Sequence, residues 1–141
     1  MWVLFDLNGT LVDPAALLED APELAVAALD EANVMAMITV IAGREAEFRP
    51  LLGAALQRGL ERAGRDPELA SKALERLPSM PAYPDVPGAL ATLREAGFRL
   101  AVLTQSAAGA AETVLGNAGI REHFELVLSA TDAGTFKPED L

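Results

Sequence analysis

Near the N-terminus a carboxylate follows a short apolar run. FDLNGTLVD, residues 5–13, sets Asp6 directly after WVLF, then Asn8, Gly9 and Thr10, with a second acid at Asp13. An aspartate at a strand end has two uses. It caps the turn that follows, or it acts as a nucleophile when cationic charge and backbone N–H groups surround it. The turn Leu7–Asn8–Gly9 supplies such N–H groups, and Gly9 allows close backbone approach. Thr10 either orients the carboxylate or hydrogen-bonds the turn. Far along the chain, Lys137 in TFKPED is either a solvated loop cation or the ammonium that neutralises Asp6 and the charge that develops during a displacement. Thr104, followed by Gln105 and Ser106, ends another apolar run and is placed to donate to the carboxylate or phosphate oxygens of a substrate. Arg44 is either a surface arginine or a residue that grips an anion. His123 reads as a turn-closing residue and Trp2 as packing.

These groups need elements to bring them together. Residues 2–7 read as a continuous buried strand of the parallel-sheet kind. From about Pro14 to Arg76 the text is helical. A first helix carries Leu24, Ala28, Asn33, Met37 and Ile41 at three-to-five spacing and stops at Gly43. A second places Leu52, Ala55, Leu56 and Leu60 together and ends at Gly64; a third opens at Asp66–Pro67 and presents Leu69, Ala73, Leu74 and Leu77. PSMPAYPDVPG, residues 78–88, is a proline-rich linker. Beyond it the spacing predicts a helix over 86–96, a strand over 98–104, a helix over 107–119 and a strand over 124–129, the grammar of right-handed βαβ units. The expected fold is α/β, a Rossmann-like parallel sheet with an inserted all-helical cap subdomain. Residues 1–13 and 84–141 form the core and 14–83 the cap. Ligands of such sheets bind beyond the carboxyl ends of the strands. Asp6, Thr104 with Ser106, and Ser129 leading to Lys137 all fall there, and the insertion leaves from that edge as a lid would.

Composition narrows the chemistry. Among 141 residues, 51% hydrophobic and 23% charged, disorder is excluded and one domain is expected. No cysteine and one histidine rule out disulfides, thiolate zinc sites, a cysteine nucleophile and a histidine metal cluster. A net charge of −10 with no basic patch argues against nucleic acid and requires a local positive site for a small anionic substrate. The N-terminus lacks a secretory pattern, no uncharged apolar run approaches 18 residues, and the expected address is the cytoplasm, away from membranes.

Together the motifs resemble those of the haloacid dehalogenase-like hydrolases, a superfamily of aspartate-nucleophile enzymes. FDLNGTL resembles its first motif, AVLTQS its second and the FKP of 136–138 its third, while the insertion and its proline-rich return are similar to its cap. The resemblance implies Asp6 as nucleophile, with Thr10, Thr104 and Lys137 catalytic, and Asn8, Arg44, Gln105 and Ser106 against the substrate. The family's phosphatases carry an acid two residues after the nucleophile, a general acid that also belongs to a magnesium site. Asn8 stands there instead, as in the 2-haloacid dehalogenase branch, which uses no metal because halide leaves unprotonated. Gln105 replaces that branch's usual asparagine. The implied reaction is displacement of halide from a small 2-haloacid through an aspartyl ester, without cofactor. A magnesium-dependent small-molecule phosphatase and a catalytically silent binding or assembly protein are the alternatives. In the family a further helix and strand follow, with a fourth motif. The resemblance therefore implies a chain truncated at its C-terminus, whose 2–7 strand leaves an edge for a homodimer or a partner to cover.

Overall fold

The computed structural model of the chain describes residues 1–44, 47–134, 136 and 137. Three strands, β1 (Trp2–Phe5), β2 (Arg99–Thr104) and β3 (Leu126–Ser129), pair in parallel in the spatial order β1-β2-β3. Three helices, α1 (Pro22–Ile41), α2 (Phe48–Arg62) and α3 (Leu69–Glu75), separate β1 from α4 (Val86–Glu95), which leads into β2; α5 (Ala108–Asn117) joins β2 to β3. This is the expected α/β fold, a parallel core with a flanking helical cap. Sequential strand order with right-handed crossovers puts α4 and α5 on one face of the sheet. Leu100 and Val102 point to that face and are buried in one core with Leu90, Ala111 and Leu115. Trp2, Leu4, Leu126 and Leu128, of the opposite register, stay exposed.

The first strand is shorter than the predicted 2–7 because the chain turns sharply after Asp6. The Leu7 carbonyl accepts hydrogen bonds from the amides of Thr10, Leu11 and Val12. Gly9 holds φ +81°, a conformation that disfavours any side chain. The departing and returning chains then pair: Asp13 N–H donates to the Pro81 carbonyl and Tyr83 N–H to that of Leu11. Asp13 also caps the short turn at 14–17 through Ala15 N–H at 2.9 Å. Burial first, and then the Asp13 carboxylate and its hydrogen bond, push the Tyr83 phenol up.

The second helix follows expectation, burying Leu52, Ala55, Leu56 and Leu60 with Phe48, and Asp66 accepts from Glu68 N–H ahead of α3. The first helix departs from it. Its buried stripe is Ala25, Ala28, Leu29, Ala32 and Ala36, while Met37 and Ile41 face outward. Small side chains let α1 lie close to its neighbours, so the alanine stripe wins the interior and the bulkier residues are left outside. By length and composition alone α1 also matches a membrane span, a test that a helix packed in a protein core passes as well. Asp30 and Glu31 interrupt its apolar run.

Candidate active site

Parallel pairing sets the ends of the strands side by side: Phe5 is level with Val102, and Thr104 with Ser129. Asp6 and Leu103 are thus the next neighbours beyond that register. Into this edge comes Lys137. Its Nζ donates to Asp6 Oδ1 at 2.6 Å and to the Leu103 carbonyl at 3.0 Å. The two side chains keep 28% and 39% of their surface exposed, for Lys137 and Asp6, so a solute can reach them. Among the described residues Asp6 Oδ2 accepts no hydrogen bond. One oxygen is held by the ammonium and the other has a lone pair to offer, the arrangement a carboxylate nucleophile requires.

The remaining motif residues form a second set of contacts. Thr104 is buried, and its Oγ1 accepts from the Ser106 N–H at 3.1 Å. Asn8 Nδ2 donates to Ser106 Oγ at 3.2 Å, linking the first motif to the second. Gln105 lies against the Lys137 main chain, accepting its N–H at Oε1 (2.9 Å). Thr10 is exposed and its hydroxyl makes no hydrogen bond among the described residues. Arg44 is exposed just past the C-terminus of α1. His123 occupies the turn before β3, its Nδ1 buried without a described partner.

Beside this cluster lies an apolar cavity of about 360 Å³, between α2 and the segments that follow β2 and β3. Asn8, Ser106, Thr131 and Asp132 line its core side; Phe48, Arg49 and Leu52 line its helical side. The cavity thus reaches the site through Asn8 and Ser106, the neighbours of Asp6 and Thr104. Its guanidinium is that of Arg49, not Arg44. The sequence held one signal for this, the FRP that opens α2, but residue types do not show which arginine lines the cavity. Asp132 also went unnoticed; its Oδ2 accepts from Ala108 N–H at 2.9 Å and so caps α5.

A magnesium ion would want carboxylate and water oxygens around it. Here Asp6 faces an ammonium, its second neighbour is an amide bonded to Ser106, and no cluster of three His, Cys, Asp or Glu side chains occurs among the described residues. The donor set does not fit.

A family profile described as haloacid dehalogenase-like hydrolase matches residues 1–140. The chain belongs to that family. It carries the family's fold. Haloacetate dehalogenase H-2 of Moraxella sp. (strain B) is 37% identical over 59 residues, 42% of this chain and 26% of that protein. Glyceraldehyde 3-phosphate phosphatase of Methanopyrus kandleri is 30% identical and covers more, 96% of this chain and 64% of its own length. Among solved structures, L-2-haloacid dehalogenase from Xanthobacter autotrophicus, with chloropropionic acid covalently bound, superimposes with a TM-score of 0.82 at 24% identity, over 98% of this chain and 60% of that one. At that identity the likeness speaks for the fold alone. This chain spans less than two thirds of the length of each of these relatives.

Proposed function

We propose that the protein is a metal-independent hydrolase of the 2-haloacid dehalogenase type. The observation that carries the reading is the position two residues after Asp6, where an amide bonded to Ser106 takes the place of a general acid. General acid–base catalysis is worth about 10²- to 10⁴-fold, and a phosphatase forgoes that without its acid. A halide needs no proton to leave. Asp6 Oδ2 attacks the halogen-bearing carbon in line, a C–O bond forms, and the C–X electron pair departs with the halide. Water then adds to the carbonyl of the aspartyl ester, and cleavage releases the 2-hydroxyacid and restores the carboxylate. Lys137 holds Asp6 in place, Thr104 and Ser106 position the substrate carboxylate near it, and Asn8 lines the cavity beside them. The Thr10 N–H, bonded to the Leu7 carbonyl, steadies the turn that carries the nucleophile. Residues 14–83 serve as cap over a core of 1–13 and 84–141, and a cap arginine, Arg44 or the cavity-lining Arg49, receives the anion. The apolar cavity suits a small substrate with a short aliphatic body.

Halide release from L-2-chloropropionate, with and without EDTA, beside Asp6→Asn, tests this. Release that survives EDTA and vanishes in the variant supports it; no release above the variant overturns it. The phosphatase reading has in its favour the likeness to phosphatases along nearly the whole chain. It calls for turnover of a phosphomonoester that EDTA abolishes.

A further inference from the structure

We propose that Gln105 is a positioning residue for Lys137, a role that rests on the reading of Asp6 and Lys137 as a working pair. Gln105 follows the last residue of β2 and is only 6% exposed. An amide so buried must find partners for both of its polar ends. Both ends go to one residue 32 positions away: Oε1 accepts from the Lys137 N–H at 2.9 Å, and Nε2 donates to the Lys137 carbonyl at 3.4 Å. Two reciprocal bonds to one main-chain unit fix its position and its orientation, as a step of a sheet ladder does. The Gln105 main chain is itself tied down, its carbonyl accepting the Thr131 hydroxyl.

Lys137 is therefore gripped at both ends by the tip of β2. The Gln105 amide holds its backbone, and the Leu103 carbonyl holds its ammonium at 3.0 Å. A lysine stem is flexible, and an ammonium on an unanchored loop would sample many positions. With both ends fixed, Nζ stays 2.6 Å from the nucleophile. The reach is length-specific. Asparagine is one methylene too short, methionine fills the volume with only a weak sulfur acceptor and no donor, and glutamate keeps the acceptor for the Lys137 N–H at the right length.

The experiment uses the 141-residue chain with Gln105 and as Gln105→Met and Gln105→Glu. Amide hydrogen exchange is followed by NMR at Lys137, with Leu100 and Val102 as internal references for the fold. Gln105→Met is expected to speed exchange at Lys137 by about tenfold or more with the reference amides unchanged, and Gln105→Glu to stay within about threefold. In parallel, kcat for halide release is expected to fall by about 10- to 100-fold in Gln105→Met at a KM within about threefold, and to be largely kept in Gln105→Glu. Unchanged protection of Lys137 in Gln105→Met overturns the proposal, as does faster exchange there with unaltered kcat. If the wild-type chain releases no halide, the dehalogenase reading fails on its own. The clamp is then judged by Lys137 exchange together with the ¹⁵Nζ signal of its ammonium, which is expected to move in Gln105→Met; a still signal overturns the proposal.

Discussion

Asp6 and Lys137 stand 131 residues apart in the chain and 2.6 Å apart in space. Their attraction acts on two quantities of different size. Both side chains are partly exposed, so solvent screens the pair, and its contribution to folding stability is about 1 kcal/mol or less. Its effect on a displacement at Asp6 is larger, because the ammonium faces charge that moves during the reaction. Lys137→Met keeps the stem and removes the charge. We expect it to shift the urea midpoint little and to lower the rate of halide release by about 10²- to 10³-fold. Unfolding curves and initial rates measured on one preparation separate the two, and a rate within a few fold of wild type would remove Lys137 from the mechanism. This meeting was legible in part: parallel strands deliver their carboxyl ends to one edge and both residues follow such ends, but only the resemblance chose it over a solvated loop lysine. The grip on Lys137 was not. It runs through the main chain of Lys137 and the carbonyl of Leu103, and backbone groups leave no mark in residue types.

Among the elements, α1 shows where periodicity misleads. Leu24, Ala28, Asn33, Met37 and Ile41 have helical spacing, yet the interior took the alanine stripe one position over. Apolar residues ring much of this helix, so a pattern of hydrophobicity alone cannot choose its buried face; side-chain size does. Ala32→Leu should therefore cost about 1–3 kcal/mol through overpacking, whereas Val34→Gln, on the exposed side, should stay within about 0.5 kcal/mol. Thermal denaturation of the two variants checks the assignment, and the reverse order of costs would refute it. Gly9 joins this helix to the nucleophile's turn: a Cβ there would meet Leu29 Cδ2 at 3.3 Å in a backbone that already excludes one. Gly9→Ala is expected to cost about 1–2 kcal/mol and to slow catalysis by displacing the turn. Across the sheet, Arg99, the first residue of β2, donates from Nε to both Glu125 oxygens and from Nη2 to Oε2, just ahead of β3. That hydrogen bond, opposed by desolvation and helped by the charges of Arg99 and Arg94, holds the Glu125 carboxyl below the usual carboxylate range. A folded-state value below the unfolded one means stabilisation that is present above the unfolded value and lost as pH falls through the folded one. The Tm difference between wild type and Glu125→Gln should thus be constant from neutrality down to the usual carboxylate range and close as the pH falls below it. A difference that persists at the acid end would point to packing instead.

For the molecule as a whole, the strand order decides how the core is shared. With β1, β2 and β3 in sequential order, both crossover helices lie on one side, and the sheet has a packed face and an open one. The alternation of the parallel strands makes this unequal division checkable residue by residue. Leu100 is fully buried, while Leu4 and Leu128 keep 54% and 39% of their surface exposed. On the open face the Arg99 guanidinium lies 4.0 Å from the centre of the Trp2 ring, a contact that shields part of the apolar surface with a charge. The continuous apolar lettering of WVLF reads as a strand buried on both sides, and among the described residues the fold covers only one of them. Leu100→Ala should then lose about 2–5 kcal/mol, the cost of a cavity in a packed interior. Leu4→Thr and Leu128→Thr should each cost less, about 1–2 kcal/mol or below, because a large part of each side chain already stands in water. Equilibrium unfolding of the three variants, each at two protein concentrations, reads this directly. Small costs at Leu4 and Leu128 that do not depend on concentration would establish a one-sided core. Costs near that of Leu100, growing with concentration, would mean that the open face is covered in solution by further copies of the chain.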